Sequence, residues 1–202
     1  MSDVPEGVRA ALQIEDDTER LLEIAAVVSE ALTGLARPVV VGGLAVAYWT
    51  AGVYQTGDID IVMPWSPEVD ERLASLGFEK EGRFWRLPGA DVFLEAPGSA
   101  LQPGEEVEVV EVKSGRTLAV LRPEDVLVYR LHEFVATGHS DPLGQAMMLV
   151  DSPDLDRERL GKLTGREGLT EALREVEQLA RRVERGEKLE TWQLHDIARR
   201  LQ

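Results

Sequence analysis

Asp58 and Asp60 alternate with Ile59 and Ile61 in the stretch Thr56-Gly57-Asp58-Ile59-Asp60-Ile61-Val62. On a β-strand, residues two apart share a face. The two carboxylates therefore project together while the isoleucines turn into a core. Two adjacent carboxylates repel, and they stay ionised at neutral pH only with a cation between them or with water around them. Hard oxygen donors at this spacing suit Mg²⁺ or Mn²⁺, with phosphate oxygens of a substrate completing the shell.

The complementary half lies upstream. Val39-Val40-Val41 is a β-branched run that reads as a short buried strand, and Gly42-Gly43 follows it at once. The next residues, LAVAYWTAG, are apolar and long enough for about two helical turns. A strand, then glycines, then a helix start leaves backbone N–H groups at a positive helix end, an arrangement that favours bound phosphate. A phosphate cradle followed by paired carboxylates is suited to handling a nucleotide.

On these residues the chain resembles the polymerase-beta-type nucleotidyltransferase superfamily. The shared motif is a strand ending in a glycine pair, a short helix, and an Asp-x-Asp strand preceded by Ser or Thr; here Gly42, Gly43, Thr56, Asp58 and Asp60 take those places. The resemblance is nearest to small bacterial members, toxin-like or of unassigned role, that carry a helical region after the core. RPEDVLVYRLHE and the helix holding Gln145-Ala146 resemble the tail of those proteins, so the similarity covers roughly residues 35 to 180. It implies a mixed-sheet α/β (α+β) core over residues 1–121 and a helical C-terminal region over residues 122–202.

The resemblance also implies a third carboxylate on a strand beside the Asp-x-Asp strand. Ala90-Asp91-Val92-Phe93-Leu94-Glu95 is the natural donor, closed by Pro97-Gly98, and it offers two acids on one face, Asp91 and Glu95. In the small members the matching strand ends in an acid followed shortly by Pro, which favours Glu95 over Asp91. Arg130 matches a basic position of the family tail and would contact phosphate or a carboxylate. Arg83 and Arg86 flank Trp85 just ahead of the third-acid strand, where they could meet a triphosphate or a base. One departure stands out. Many relatives place an arginine shortly before the Ser or Thr, whereas this chain has Tyr54-Gln55.

The rest of the sequence supplies elements to hold these groups. Apolar residues recur every three or four positions from Asp16 to Leu35, which predicts a helix over one sheet face. Residues Asp3 to Ala11 read as frayed or loosely helical. Pro67 to Leu76 predicts a helix stopped by Gly77, Gly82 to Arg86 a short strand or turn, and Lys113-Ser114-Gly115-Arg116 the tip of a hairpin at the sheet edge. Glu106, Glu108 and Glu111 would be solvated edge charges. After Pro123 the periods are helical, at 123–134, 141–150, from Ser152, 167–185 and 189–201.

Composition bounds the reading. The 202 residues hold no cysteine, which excludes disulfides and thiolate chemistry and fits a reducing cytoplasm. No apolar run approaches the roughly twenty residues of a membrane span, and the polar N-terminus does not read as a signal peptide. Net charge is −15, adverse to bulk nucleic-acid binding. Residues 1–115 carry −13 of it and residues 116–202 only −2, so any RNA or DNA contact falls on the C-terminal half. The three histidines lack the spacing of helix-borne zinc ligands, and no serine lies in a nucleophile elbow.

The activity implied by the resemblance is metal-dependent transfer of a nucleoside monophosphate from an NTP to an acceptor hydroxyl, with release of pyrophosphate. Asp58, Asp60 and Glu95 (or Asp91) would hold Mg²⁺ or Mn²⁺, while Gly42, Gly43 and Thr56 would hold phosphate. The acceptor could be a small molecule, a protein or a tRNA end. The alternative is a non-catalytic module that keeps the fold, such as one component of a toxin–antitoxin pair with an antitoxin as partner.

Overall fold

The protein was analysed as a computed structural model, which describes residues 4–202. It divides into two compact units: residues 1–48 with 55–122, and residues 49–54 with 123–202. The helical unit thus reaches back to take in residues 49–54, the end of the helix after the glycine pair and the turn that follows it. Among the described residues no helix is long and apolar enough to cross a membrane.

The first unit is built on a seven-stranded sheet. Its strands are β1 (Val39–Val40), β2 (Asp58–Val62), β3 (Glu79–Glu81), β4 (Phe84–Leu87), β5 (Val92–Gly98), β6 (Val107–Glu111) and β7 (Thr117–Leu121), in the order β3-β4-β5-β2-β1-β7-β6. β2 runs antiparallel to β1 and parallel to β5, and β1 is parallel to β7, so the sheet is mixed. Ile59, Ile61, Leu94, Leu118 and Val120 are at most 2% exposed. Each such aliphatic side chain contributes about 1.5–3 kcal/mol on burial.

Ahead of the sheet lie α1 (Glu6–Ala11) and α2 (Asp17–Ala31). Asp3, expected to begin a loose helix, lies outside the described residues. α2 is started by Asp16, whose carboxylate accepts from the Glu19 N–H at 2.8 Å. It buries Leu21, Ile24 and Val28. It ends at Ala31 rather than Leu35, because the chain turns through Gly34 at φ 85° and leaves Leu35 exposed. Acids along α2 grip the β6–β7 hairpin: Glu19 binds Lys113, Glu23 accepts from the Ser114 N–H at 2.8 Å, and Glu30 pairs with Arg116 at 2.7 Å. Ser66 caps α4 (Pro67–Ser75), with Pro67 in its first turn.

Two strands depart from expectation. β3 reads Glu-Lys-Glu and is exposed throughout, so no buried face marked it in the sequence. β5 continues through Pro97-Gly98 instead of closing before them. Between Asp60 and Val62 the register slips, so that Glu95 faces Asp60 but Gly98 faces Val62. The extra residue makes a bulge, and a bulge tolerates a proline that cannot donate to a ladder.

The second unit carries α5 (Pro123–Thr137), α6 (Ser140–Leu149), α7 (Arg157–Arg166), α8 (Thr170–Glu184) and α9 (Thr191–Leu201). α7 starts at Arg157, later than the Ser152 start expected, because Asp156 is its cap and accepts from the Glu158 and Arg159 N–H groups. Ser152 instead donates to the Trp49 carbonyl. Gly168, at φ 71°, separates α7 from α8. Glu124 and Asp125 are buried against Arg159, at 3.4 and 2.8 Å, and Glu124 also accepts from the Asp156 N–H. Breaking such a pair would leave a buried charge uncompensated, at a cost of about 3–5 kcal/mol.

Candidate functional site

β2 alternates as its sequence requires: Asp58 is exposed, Ile59 buried, Asp60 half-buried and Ile61 buried. Asp58 and Asp60 therefore lie on one face. The Asp58 N–H donates to the Thr56 hydroxyl at 3.4 Å, which bends the entry to the strand around Thr56. The strand begins at Asp58, and Thr56-Gly57 form its approach.

Gly42 opens α3 (Gly42–Trp49) at φ 58°, a conformation that favours glycine. A Cβ at Gly42 would lie 2.1 Å from Asp60 Oδ2 and 2.9 Å from Asp60 Cβ. The Gly43 N–H donates to the same Oδ2 at 3.4 Å, and the Val41 N–H donates to the Asp60 carbonyl at 2.9 Å. Asp60 is thus packed against the strand-to-helix turn, and its carboxylate faces the positive end of α3. The absence of a side chain at Gly42 makes this approach possible. A glycine pair in sequence signals a tight turn, but it gives no sign that an aspartate seventeen residues away fills the space.

The parallel β2–β5 register pairs Asp58 with Phe93 and Asp60 with Glu95. Glu95 therefore stands beside Asp60 on the neighbouring strand. Asp91 precedes β5 and is exposed. It lies four residues back along the chain, roughly 13 Å at about 3.3 Å per residue. The Glu95 carboxylate pairs with Arg83 Nε at 3.2 Å, its side chain 24% exposed against 75% for Arg83. Arg83 follows Gly82 at the turn between β3 and β4, and its guanidinium lies over the Phe84 ring at 4.8 Å.

Hard carboxylate oxygens on one strand face, beside a turn whose Cβ space is taken by a carboxylate, fit a divalent cation held by Asp58 and Asp60. Glu95 is adjacent but is engaged by Arg83. Among the described residues no three His, Cys, Asp or Glu side chains are gathered as a ready-made metal centre.

Arg130 lies on α5, in the second unit. It pairs with Glu133 at 2.7 Å, and its half-buried side chain leaves Nε without a hydrogen-bond partner. Tyr54, at the place where many relatives have an arginine nearby, belongs to the same unit, and its hydroxyl accepts from Gln145 Nε2 at 3.0 Å. Sequence reasoning missed one cluster in the first unit. Asp70 accepts from Lys80 at 2.6 Å and from Trp85 Nε1 at 2.8 Å, while the Lys80 ammonium lies over the rings of Trp65 and Trp85 at 4.7 and 5.0 Å. These residues come from α4, β3, β4 and the segment ahead of α4, so no spacing in the chain announces them.

No family model matches the chain, and no curated protein matches it at a significant level. Solved structures do. An antigenic nucleotidyltransferase-like protein from Paracoccidioides brasiliensis is 17% identical, with a TM-score of 0.54 over 79% of this chain and 93% of that one. The antibiotic-resistance factor ANT(2'')-Ia is 16% identical, with a TM-score of 0.51 over 79% of this chain and 96% of that one. These similarities show the fold: this chain has a nucleotidyltransferase-like fold, a mixed sheet followed by a helical region.

Proposed function

We propose that the protein is a metal-dependent nucleotidyltransferase that moves a nucleoside monophosphate from an NTP to an acceptor hydroxyl. The observation that carries this reading is the placement of Asp60, which stands beside Glu95 in register, shares a face with Asp58 and packs on the glycine turn. A Mg²⁺ or Mn²⁺ ion held by Asp58 and Asp60 would neutralise charge on the transferred phosphoryl group. The acceptor oxygen attacks the α-phosphorus, the bond to the β-phosphate oxygen breaks, and pyrophosphate leaves. Glu95 takes the acceptor proton. Gly43 and Thr56 position the phosphates. The acceptor class is a small molecule, a protein hydroxyl or a tRNA end.

A second reading has one observation in its favour. Glu95 is tied to Arg83 and no group of three acids is drawn together among the described residues. That favours a non-catalytic module acting by binding, for example with an antitoxin. Incubating the protein with each α-labelled NTP, Mg²⁺ or Mn²⁺ and a cell extract separates the two readings. Transfer of label that is lost in Asp60→Asn is the expected outcome. No transfer from any of the four triphosphates, or equal transfer by Asp60→Asn, overturns the enzymatic reading.

A further inference from the structure

We infer that the outer edge of β6 is a docking site for an extended, basic segment of another protein, which adds to the sheet as a further strand. The edge lies within the first unit and depends on none of the proposed chemistry. β6 ends the sheet order, and among the described residues it pairs with β7 alone. The Arg122 N–H donates to the Glu106 carbonyl and the Val112 N–H to the Arg116 carbonyl, both at 2.9 Å. Facing residues of an antiparallel pair alternate between bonded and non-bonded positions. Glu108, opposite Val120, and Val110, opposite Leu118, therefore also turn their backbone groups towards β7. Val107, Val109 and Glu111 turn theirs outward, and their N–H and C=O groups form an open ladder.

The side chains say what fits this ladder. Val109, at its centre, is 57% exposed and offers an apolar contact to a β-branched neighbour. Glu108 and Glu111 are exposed, stand on opposite faces of the strand and lie across from the uncharged Val120 and Thr117. Neither makes an ion pair among the described residues. The basic residues of the hairpin tip are already taken, Lys113 by Glu19 and Arg116 by Glu30. Those same pairs hold the hairpin against α2, so the edge is preformed and docking need not order it. The complement is a strand with a β-branched residue opposite Val109 and Lys or Arg opposite Glu108 and Glu111, joined by main-chain hydrogen bonds. A second copy fits poorly. Antiparallel pairing of two β6 edges about Val109 sets Glu108 on a diagonal of about 7–8 Å from its counterpart, between chains of net charge −15 each. The acids thus reject a copy of this chain and select a basic strand.

The test uses the full chain and the peptide acetyl-Thr-Lys-Thr-Val-Lys-Val-Thr-amide, whose central valine would sit opposite Val109 and whose lysines would sit opposite Glu111 and Glu108. In the free chain, amide hydrogen exchange should be fast at Val107, Val109 and Glu111 and slow at Glu108 and Val110. The peptide should slow the first three. An analogue N-methylated at its second, fourth and sixth residues keeps both charges but cannot donate to the ladder, and it should bind about tenfold or more weakly in fluorescence anisotropy. Glu108→Lys combined with Glu111→Lys should weaken the parent peptide about fivefold or more. A peptide with Glu in both Lys positions should prefer that variant to wild type by a similar factor. Melting curves establish that the variant is folded. Exchange at Val107, Val109 and Glu111 as slow in the free chain as at Glu108 means the edge is already covered and overturns the site. Equal binding of the methylated analogue, or no binding of the parent peptide at millimolar concentration, overturns strand addition. Indifference to the charge reversals, or a wild-type dimer in sedimentation that Val109→Pro dissociates, overturns the choice of a basic partner.

Discussion

Replacing Gly42 with alanine tests the close approach between the glycine turn and Asp60. Two costs add. Alanine at φ 58° pays the left-handed penalty, about 1–2 kcal/mol. Its Cβ would lie 2.1 Å from Asp60 Oδ2, 2.8 Å from Cγ and 2.9 Å from Cβ. Rotating the carboxylate relieves the first contact but not the last, so the strand must move, and overpacking of that kind costs about 1–3 kcal/mol. The expected loss is about 2–5 kcal/mol, or roughly 4–20 °C in melting temperature for a chain of this size. Gly57 is the comparison. It lies in the same motif, but a Cβ there meets nothing within 4 Å and its φ is not positive, so Gly57→Ala should stay within about 0.5 kcal/mol. Urea denaturation of both variants, and of Gly42→Ala in an Asp60→Ala background, completes the cycle. Removing the carboxylate should recover at least about 1 kcal/mol of the Gly42→Ala cost. Equal stability of Gly42→Ala and wild type, or a cost independent of Asp60, would refute the packing argument.

Glu95→Gln should reduce nucleotidyl transfer by about 10²–10³, while Asp91→Asn keeps most of it, because Asp91 lies before β5 and beyond the end of β2; initial rates with labelled NTP decide, and the reverse order would transfer the role. Mg²⁺ or Mn²⁺ with NTP at millimolar concentration should raise the melting temperature through ligand linkage, and unchanged melting curves would count against a working site. Burial acts to raise the Asp70 carboxyl, but hydrogen bonds from Lys80, Trp65 and Trp85 outweigh it and hold the group below its ordinary value. Its contribution to stability is then complete above about pH 4, the unfolded value, and fades as pH falls through the lower folded value. Asp70→Asn should flatten that acid limb in melts from pH 5 to 3, and an unchanged limb would contradict the assignment.

The sheet was legible in sequence where one face is buried. Ile59 and Ile61 fix the phase of β2, and with it the common face of Asp58 and Asp60. β3 was not legible, because an edge strand exposed on both faces leaves no alternation to read. Leu35 was misread for the opposite reason: its spacing matches the stripe of α2, but Gly34 turns the chain before it reaches the core. At the site, the glycines, Thr56 and the aspartates were visible as a motif, and the structure adds what a motif cannot carry. The pairing of Asp60 with Glu95 depends on strand register across a separation of 35 positions, and the Arg83–Glu95 contact depends on a hairpin whose first strand had no signal. Tyr54 was seen only as a departure from the pattern. Its bond to Gln145 comes from the helical unit's claim on residues 49–54.

The grip of α2 on the β6–β7 hairpin sets an order of events during synthesis. Glu23 and Ser114 are 91 residues apart, and Glu19 and Lys113 are 94 apart. At about 5–20 residues per second, the helix waits roughly 5–20 s for the turn it will hold. β1 waits as well, since Val39 and Val40 need Ala119 and Val120 for their second edge. Through that interval the chain already contains the glycine turn and both aspartates, while the strand leading into that turn has one open side. The last piece of the first unit to leave the ribosome is therefore the one that closes it, and β1 gains its second ladder only when β7 arrives.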